Sequence, residues 1–534
     1  MSAEAITTLC ERVEALEATV VELTEQNTRL ADERERYHTL YVQLLEINRK
    51  LERGLLGQKA ERLPADEAQL TLQLLATLLG DRAPQAPEHE TRQAVAPHTR
   101  RKPTGRKPLP EHLPRVEIEL LPDEVTRLGT DAFVRIGEEV SEVVERRPAS
   151  LVAVCIKRPK FVRKERAASP SARITTAEPL ELPIPRGLAG PGLLADTVVR
   201  RWQDHLPLHR LESIYAREGL ELARSTVCGW HEELASLARP LVDAMWEDAF
   251  EAPYLCTDAT GVLVQARERC RRSHFWVVVA PGRHVLYRYS PKHDGEAVDR
   301  MLAGYRGYLV ADAHAVYDHL YVGGGVVEVG CWSHCRRYFF KALTFEPERA
   351  REALAYIRGL FDLERALATA PRKKREEMRA EHAKPLVDKF FAWCEQQREH
   401  MLDDTPIAKG IGYALNQREA LSRFLEDGRL PIHNNGSELA LRRQAVGRKN
   451  WLFLGSNHGA EANTTFVSLL ASCQMHRIEP WGYLRDLFCL LPAWKRSQVL
   501  ALSPRHWSET LQHEPVQQLL AANPFRQITL GQLG

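Results

Sequence analysis

The order of apolar segments between residues 253 and 343 restricts the fold more than any other feature of this sequence. The segments YLCTDATGVLVQ, SHFWVVVA and HVLYRYS have strand patterns, and a Pro-Gly turn joins the last two into a hairpin. A helical segment, the buried strand GYLVADA, the strand GVVEVGC and the helical segment WSHCRRYFFKAL follow in that order. Three antiparallel strands followed by a βαβα arrangement predict an α/β domain.

This arrangement is that of a ribonuclease-H-like core, in which the fourth strand lies beside the first. Asp258 is late in the first strand and Asp312 ends the fourth, so both carboxylates are expected at one edge of the sheet. An unpaired charge is costly to bury, and two carboxylates at such an edge therefore predict a bound divalent cation. The alternative for each residue is a turn aspartate that caps the end of a strand.

The segment PIHNNGSELALRR, residues 431–443, allows two interpretations of Glu438. Asn435 could be the N-cap of a helix, with Glu438 closing a capping box onto the Asn435 N–H. Alternatively, this is the last helix of the core, which must cross the same face and bring a third carboxylate. The second interpretation also accounts for Asp258 and Asp312, so we predict that these three acids are the catalytic and metal-binding residues.

Residues 1–57 predict a coiled-coil dimerisation helix. Leucines occupy most positions of one seven-residue grid, namely Leu9, Leu16, Leu23, Leu30, Leu44 and Leu51. Valine at a positions with leucine at d positions favours two parallel strands, and an Asn at an a position, here Asn27, fixes register and dimer state. The alternative is a long amphipathic helix that packs against its own chain.

Residues 58–115 are predicted to be a linker, because proline and charge dominate its later part and no period survives. Its basic segment is predicted to bind a phosphate backbone or a minor groove through Arg100, Arg101, Lys102, Arg106 and Lys107. A merely solvated linker is the alternative. Residues 116–185 alternate apolar and polar side chains in short pieces, which predicts a small β domain.

Residues 190–245 predict a helix-turn-helix DNA-binding domain. Gly219 is expected to end the first helix and Ser225 to cap the second. The exposed start of the second helix would contact DNA through Arg224, Ser225, Thr226 and His231. Helical hairpins that bind no DNA share this layout, and they are the alternative.

The chain is therefore predicted to be a multidomain α/β protein. The catalytic core takes residues 250–344 and 411–480, a helical insertion takes residues 345–410, and a C-terminal tail takes residues 481–534. Four cations that follow Glu438 are predicted to clamp DNA phosphates: Arg442, Arg443, Arg448 and Lys449. Surface solvation is the alternative for these four.

Composition argues against a membrane protein and leaves DNA binding open. No apolar run approaches the length of a membrane span, and a signal-peptide pattern is not expected at the N-terminus. The 73 basic residues nearly balance the 71 acidic ones, so local clusters must indicate any nucleic acid. The ten cysteines are scattered, as expected of reduced thiols in a cytosol, and Cys331, His334 and Cys335 match no common zinc spacing.

Several segments resemble DDE transposases of the insertion-sequence-sixty-six family, and the resemblance covers nearly all of the chain. The segments are GQKAERL, GRKPLPEHLPR, DHLPLHRLESIYAREGLELARSTVCGW, CWSHCRRYF and NNGSELALRRQAVGRKNWLFLGSNHGAE. By this resemblance Asp258, Asp312 and Glu438 are the catalytic trio. Ala259 stands where the family usually has Glu, and Ala313 with His314 where it usually has Gly-Tyr.

A third departure concerns zinc. Members of the family often carry a cysteine-rich, zinc-finger-like segment before IGEEVSE. The corresponding segment here, LPDEVTRLGTDAFVRIGEEVSE, contains no cysteine. We therefore expect the small β domain to fold without structural zinc.

The resemblance implies a transposase of a bacterial insertion sequence. Such an enzyme binds the terminal inverted repeats of its element, cleaves at the ends and joins the 3′-hydroxyls to target DNA, with two Mg²⁺ or Mn²⁺ ions per active site. The implied partners are double-stranded DNA, further copies of the chain through the coiled coil, and accessory proteins of the same element, in a nucleoid-associated cytoplasmic location without membrane contact. The alternatives are a catalytically inactive DNA-binding regulator and a metal-dependent nuclease without strand transfer.

Overall fold

The computed structural model describes residues 26, 28–29, 109–147, 150–164, 174–267, 269–399 and 404–533. Residues 26, 28 and 29 are helical. The rest of the predicted coiled coil lies outside the described residues, and so do the predicted DNA-binding residues Arg100, Arg101, Lys102, Arg106 and Lys107. The described residues from 109 onward belong to one compact unit.

A three-stranded sheet begins this unit. Its elements are β1 (Arg115–Glu119), helix α1 (Asp123–Leu128), β2 (Phe133–Arg147) and β3 (Ser150–Arg163). β3 is central, with β1 parallel to it and β2 antiparallel to it. The sheet packs Val116, Val143, Val152, Val154 and Ile156 against Phe525 and Ile528. The segment predicted to be a C-terminal tail therefore supplies part of this core.

Helices follow the small sheet in the chain. They are α2 (Pro191–Val198), a π-helical turn (Val199–Gln203), α3 (Leu208–Arg217) and α4 (Arg224–Ala249). Gly219 has a φ of +85° just past the end of α3, which is the left-handed conformation that glycine adopts at little cost. The prediction that Ser225 caps the next helix is wrong by two residues, because α4 begins at Arg224 and its N-cap is Ala223.

The second sheet has five strands. Its region contains β4 (Tyr254–Val264), β5 (Arg271–Ala280), β6 (His284–Ser290), α5 (Gly295–Leu302), β7 (Gly307–Val310), α6 (Asp318–Tyr321), β8 (Val326–Val329) and α7 (Trp332–Ala342). The strand order is β6-β5-β4-β7-β8, with β4, β5 and β6 antiparallel and with β7 and β8 parallel to β4. The predicted pairing of the first and fourth strands is thereby confirmed.

A helical segment separates α7 from the next helix that returns to the sheet. It contains α8 (Pro347–Ala366), α9 (Arg372–Met378), α10 (Lys384–Arg398), α11 (Pro406–Asn416) and α12 (Arg418–Ser422). Arg379 is fully buried at its centre and donates to both carboxylate oxygens of Glu364 over 2.7 Å. Arg379 also donates to the carbonyl oxygens of Phe424 and Leu430, so the segment is fastened to the chain that leads back to the sheet.

The last helices cover the sheet and close the unit. They are α13 (Asn435–Trp451), α14 (Asn457–Met475), α15 (Pro480–Leu490), α16 (Trp507–Thr510), α17 (Glu514–Ala522) and α18 (Pro524–Thr529). Ser468 and Ser472 of α14 accept hydrogen bonds from the backbone N–H groups of Tyr287 and Val285, which satisfies donors of the edge strand β6. Within the described residues no helix combines the length and the apolar character that a membrane span needs.

Candidate active site

The parallel pairing of β4 with β7 places two of the predicted acids next to each other. The last paired residues are Cys256 on β4 and Val310 on β7. Asp258 lies two residues after Cys256, and Asp312 lies two residues after Val310. The two aspartates therefore occupy equivalent positions just beyond the paired part of the strands. Both side chains are partly exposed, and the carboxyl groups of Asp258 and Asp312 are close enough to influence each other's charge.

The start of α13 is fastened to β4 beside Asp258. Asn434 precedes the helix, is fully buried, and donates from Nδ2 to the carbonyl oxygen of Thr257 over 2.8 Å. Its own N–H donates to Sγ of Cys331 over 3.2 Å. Because Thr257 immediately precedes Asp258, these contacts bring the first turn of α13, and with it Glu438, to the edge that carries the two aspartates.

The carboxylate of Glu438 is directed at α7. Its Oε1 accepts a hydrogen bond from Nη2 of Arg337 over 3.1 Å and lies 3.5 Å from Nε2 of His334. The N–H of Asn435 donates to Nδ1 of His433 over 3.4 Å, and within the described residues no side-chain hydrogen bond caps α13. The capping-box interpretation is therefore wrong, and Glu438 is available for other chemistry.

The electrostatics of the edge show that the three acids are neighbours. Burial raises the pKa of Asp258. The Ala259 N–H, which donates to Oδ1 over 2.7 Å, opposes this rise, the negative charges of Asp312 and Glu438 add to it, and the net pKa is about 7. Burial and the nearby Arg337 together lower the pKa of His334, so this ring is neutral at pH 7. An acidic cluster that disfavours its own ionisation is typical of cation sites and catalytic sites.

The donor chemistry of the trio fits a hard divalent cation. All three candidate ligands are carboxylates, and a cation would offset the burial and the repulsion that raise the pKa of Asp258. Within the part of the chain that the structure describes, no three acidic, histidine or cysteine side chains are grouped closely enough to hold one ion together. Asp258, Asp312 and Glu438 are carboxylates that suit a cation, but they are not grouped around one point, and Glu438 is paired with Arg337.

The four cations after Glu438 divide into two pairs. Arg442 and Lys449 are exposed. Arg443 donates to the side-chain oxygens of Gln203 and Gln474, and Arg448 donates to Oγ1 of Thr260 over 2.9 Å and to the carbonyl oxygen of Gly261. The guanidinium groups of Arg443 and Arg448 are thus used to hold α13 against its neighbours, and the structure leaves Arg442 and Lys449 open to a phosphate.

The predicted DNA-binding residues of the helix-turn-helix are partly exposed and partly buried. Arg224, Ser225 and Thr226 are exposed at the start of α4, and Arg224 pairs with Glu212 of α3 over 3.1 Å. His231 is instead 3% exposed, with Nε2 lying 3.1 Å from Oγ1 of Thr197, and burial lowers its pKa to about 3. The expectation that His231 lies at an exposed helix start is wrong, because this face of α4 packs into the core.

A basic stretch from the end of β4 to the first residues of β5 was missing from the predicted DNA-binding residues. Its exposed cations are Arg267, Arg269, Arg271 and Arg272. The signal that could have found it is the sequence QARERCRR, with four arginines in eight residues between two strands.

Comparison with known proteins identifies the family of the chain. Residues 186–462 match the family described as "Transposase IS66 family", and residues 43–118 match the one described as "Transposase C of IS166 homeodomain". Similar proteins include two from Sinorhizobium fredii (strain NBRC 101917 / NGR234). "Uncharacterized protein y4hP" is 29% identical over 86% of this chain and 87% of its own length, and "Uncharacterized protein y4qI" is 29% identical over 78% and 80%. Because the first family match covers more than half of the sequence, the chain belongs to the IS66 transposase family.

Proposed function

We propose that this protein is a DDE transposase that binds the terminal inverted repeats of its insertion sequence, cleaves at the element's ends and joins the 3′-hydroxyls to target DNA. The observation that carries the proposal is the convergence of Asp258, Asp312 and Glu438, which come from two paired strands and from the helix fastened to them. Membership of a transposase family supports the reaction class.

The proposal includes a ribonuclease-H-like core built from residues 250–344 and 411–480, interrupted by the helical insertion at residues 345–410. The order β6-β5-β4-β7-β8 supports it, since three antiparallel strands are extended by two parallel ones at the β4 edge. In this architecture the acids lie where the central strand, its parallel neighbour and the last helix meet. The helices of the insertion enter the chain between β8 and α13 without interrupting the sheet.

Asp258, Asp312 and Glu438 would hold two Mg²⁺ or Mn²⁺ ions, which activate an attacking hydroxyl and stabilise a leaving oxygen in phosphoryl transfer. Asn434 keeps Glu438 at this edge through its bond to the Thr257 carbonyl oxygen. Asp258 has the most to gain from a cation, because its ionised form is the one disfavoured by burial and by the other two acids. Arg442 and Lys449 would neutralise phosphates of the bound duplex.

Recognition of the DNA sequence and of its backbone would fall to residues outside the acidic cluster. Arg224, Ser225 and Thr226 would read base edges from the start of α4, and the basic segment from Arg100 to Lys107 would contact phosphates or a minor groove. The heptads of residues 1–57 would pair two protomers, and thus two element ends, in a dimer or higher multimer. Accessory proteins of the element and a location at the bacterial nucleoid belong to the same proposal.

A strand-transfer reaction tests the proposal. The purified chain is incubated with a labelled duplex that spans the junction between the element's end and flanking DNA, with Mg²⁺ and a supercoiled target plasmid. The expected products are a cut end and a labelled plasmid joined to it. Cutting without joining would instead identify a nuclease, and binding without cutting would identify a regulatory DNA-binding protein.

A further inference from the structure

The segment that follows α13 exposes two large apolar side chains at a strained turn. Leu452 is 62% exposed and Phe453 is 43% exposed; these two residues are called the apolar turn below. Leu452 has φ +64° and ψ −52°, and the N–H of Phe453 donates to the carbonyl oxygen of Trp451 over 2.7 Å. This is a γ-turn with positive φ, a rare and strained conformation that persists only when its surroundings impose it.

Buried residues on both sides impose that conformation. Trp451 is 8% exposed, with the guanidinium of Arg201 5.6 Å from its ring centre, and Leu454 is 3% exposed. Leu454 is also bonded to the end of β4, since its N–H donates to the Leu263 carbonyl oxygen over 2.9 Å and its own carbonyl oxygen accepts from the N–H of Gln265 over 2.8 Å. The apolar turn is therefore held rigidly between a buried helix end and a strand.

Cations flank the apolar turn. Residues 265–267 follow the strand that binds Leu454, and residues 269–272 lead into β5. These two stretches are together called the arginine loop below, and their exposed cations are Arg267, Arg269, Arg271 and Arg272. Arg271 donates to Oδ1 of Asn457 over 2.9 Å, which ties the loop to the start of α14. Among the residues that the structure describes, no carboxylate forms an ion pair with the other three arginines, with Arg442 or with Lys449.

The exposed side of α13 connects the apolar turn to the acidic cluster. Five of its exposed residues recur at helical spacing on one side and lead to the turn: Asn435, Leu439, Arg442, Val446 and Lys449. At a rise of about 1.5 Å per residue, Leu452 lies about 21 Å along the helix axis from Glu438. That length corresponds to about six base pairs at roughly 3.4 Å per base pair of duplex DNA.

We propose that the apolar turn is a wedge that inserts between base pairs of the element's end, about six base pairs from the cleaved phosphate. The arginine loop and the α13 cations would hold the phosphates on either side, and the rigid turn would present Leu452 and Phe453 to the base stack. Apolar side chains that unstack a base step while neighbouring cations bind the backbone are a known way to kink a duplex. This inference rests on the proposed function and adds a DNA distortion at a defined position.

Duplex DNA is favoured over a second copy of the chain because of the charge around the turn. At a protein interface, the cations of the arginine loop, Arg442 and Lys449 would lie beside an apolar contact. None of them pairs with a carboxylate among the described residues, so their desolvation there would be unfavourable. A polyanion neutralises them without that cost.

Fluorescence of 2-aminopurine tests the wedge in the full-length chain. A set of element-end duplexes carries the probe at each of the first 12 positions on either side of the cleavage point, and both fluorescence and binding are measured. Wild-type protein should raise the fluorescence most strongly at a probe about six base pairs from that point, since unstacking relieves the quenching of 2-aminopurine.

The variant Phe453→Ala should lose most of that rise and bind the end about 5- to 10-fold more weakly, because an aromatic ring stacked on a base contributes measurably to affinity. Phe453→Trp should restore the rise. Leu519→Ala removes an equally exposed apolar side chain from α17 and should leave fluorescence and binding unchanged.

Three other results would overturn the inference, and each is distinguishable. If wild type cuts the end with no local fluorescence rise, the wedge is absent while the proposed function stands. If Phe453→Ala lowers the oligomeric state in light scattering and keeps the fluorescence rise, the apolar turn is a protein interface. If wild type neither binds nor cuts the end, the proposed function fails and the wedge fails with it.

Discussion

Arg337 donates a hydrogen bond from Nη2 to Oε1 of Glu438 over 3.1 Å, which joins α7 to the first turn of α13. The same guanidinium opposes the rise in the pKa of Asp258 that burial and the other acids cause. The positive charge of Arg337 therefore partly neutralises the acids at this edge, as a bound divalent cation would. A divalent cation bound by Glu438 would therefore compete with Arg337 for this carboxylate.

Removing the guanidinium of Arg337 should change the metal concentration that cleavage requires. We expect Arg337→Ala to lower the Mn²⁺ concentration that gives half-maximal cleavage by about two- to five-fold, the range expected when one partly exposed ion pair is lost. The measurement is a Mn²⁺ titration of single-turnover cleavage at saturating protein. Arg336→Ala, which removes an exposed neighbouring guanidinium, is the matched control and should leave the midpoint unchanged. A midpoint that rises in Arg337→Ala would contradict the competition.

Asn434 should matter both for stability and for catalysis. Asn434→Ala removes the Nδ2 donor and leaves the buried carbonyl oxygen of Thr257 without that bond, which costs about 1–3 kcal/mol. Thermal unfolding should show the loss, and cleavage should fall further than the unfolded fraction explains, because Glu438 is no longer held at the edge. The exposed neighbour provides the control, Asn435→Ala, which should stay near wild type in both measurements. Unaltered cleavage by Asn434→Ala would show that this bond does not position Glu438.

Glu145 predicts a pH dependence of stability. It is fully buried in β2, with Oε1 accepting from the backbone N–H groups of Arg146 and Leu193, and burial raises its pKa from 4.5 to about 8. Between these two pH values the native carboxyl keeps a proton that the unfolded chain has released. This stabilisation is therefore complete below about pH 4.5 and is lost as the pH rises through about 8.

Glu145→Gln cannot titrate, so its stability relative to wild type should improve by a few kcal/mol, in order of magnitude, between pH 5 and pH 8.5. Urea unfolding at both pH values measures the difference. Glu178→Gln alters an exposed glutamate and should follow the wild-type pH profile. If Glu145→Gln also follows that profile, the carboxyl of Glu145 is already ionised in the native protein at pH 5.

The helix-turn-helix and the basic segment should contribute differently to DNA binding. Arg224→Ala should cost about 1–3 kcal/mol on the element's own end and relax sequence preference, because it removes a contact to base edges. Neutralising Arg100, Arg101 and Lys102 together should weaken binding to every duplex and reduce the salt slope by roughly one unit per lost phosphate contact. Salt titrations on specific and scrambled duplexes separate the two effects. The opposite pattern, with Arg224→Ala neutral and the triple variant losing only specific binding, would reverse the two assignments.

The strands, and the position of Asp258 and Asp312 at one edge of the sheet, could be predicted because their signals are local or topological. Continuous apolar runs marked β5 and β7, and the order of elements alone required β4 to lie beside β7, which brings Asp258 and Asp312 together. Glu438 was predicted as the third acid because the core needs one more helix that crosses the same edge. None of these inferences depended on knowing which side chains face which neighbour.

The sequence did not indicate which helix faces are buried where the residues that cover them come from a distant part of the chain. His231 is buried because Thr197 and the ring of Phe466, 5.7 Å away, lie against that side of α4. Arg443 is committed to Gln203 and Gln474, which no pattern within α13 indicates. Phe525 joins the core of the small sheet from the other end of the chain, so the pattern of residues 481–534 alone suggested a tail.

Single-turnover cleavage by Glu438→Gln bears most directly on the catalytic trio. The substitution keeps the size of the side chain and removes its charge, so α13 and DNA binding should be preserved. Glu419→Gln, which alters an exposed glutamate of α12, is the matched control. We predict that Glu438→Gln binds the element's end within about two-fold of wild type while cleaving at least about 1,000-fold more slowly, as expected when one member of a catalytic unit is lost. Cleavage by Glu438→Gln at a rate close to that of Glu419→Gln would contradict the assignment of Glu438 to the active site.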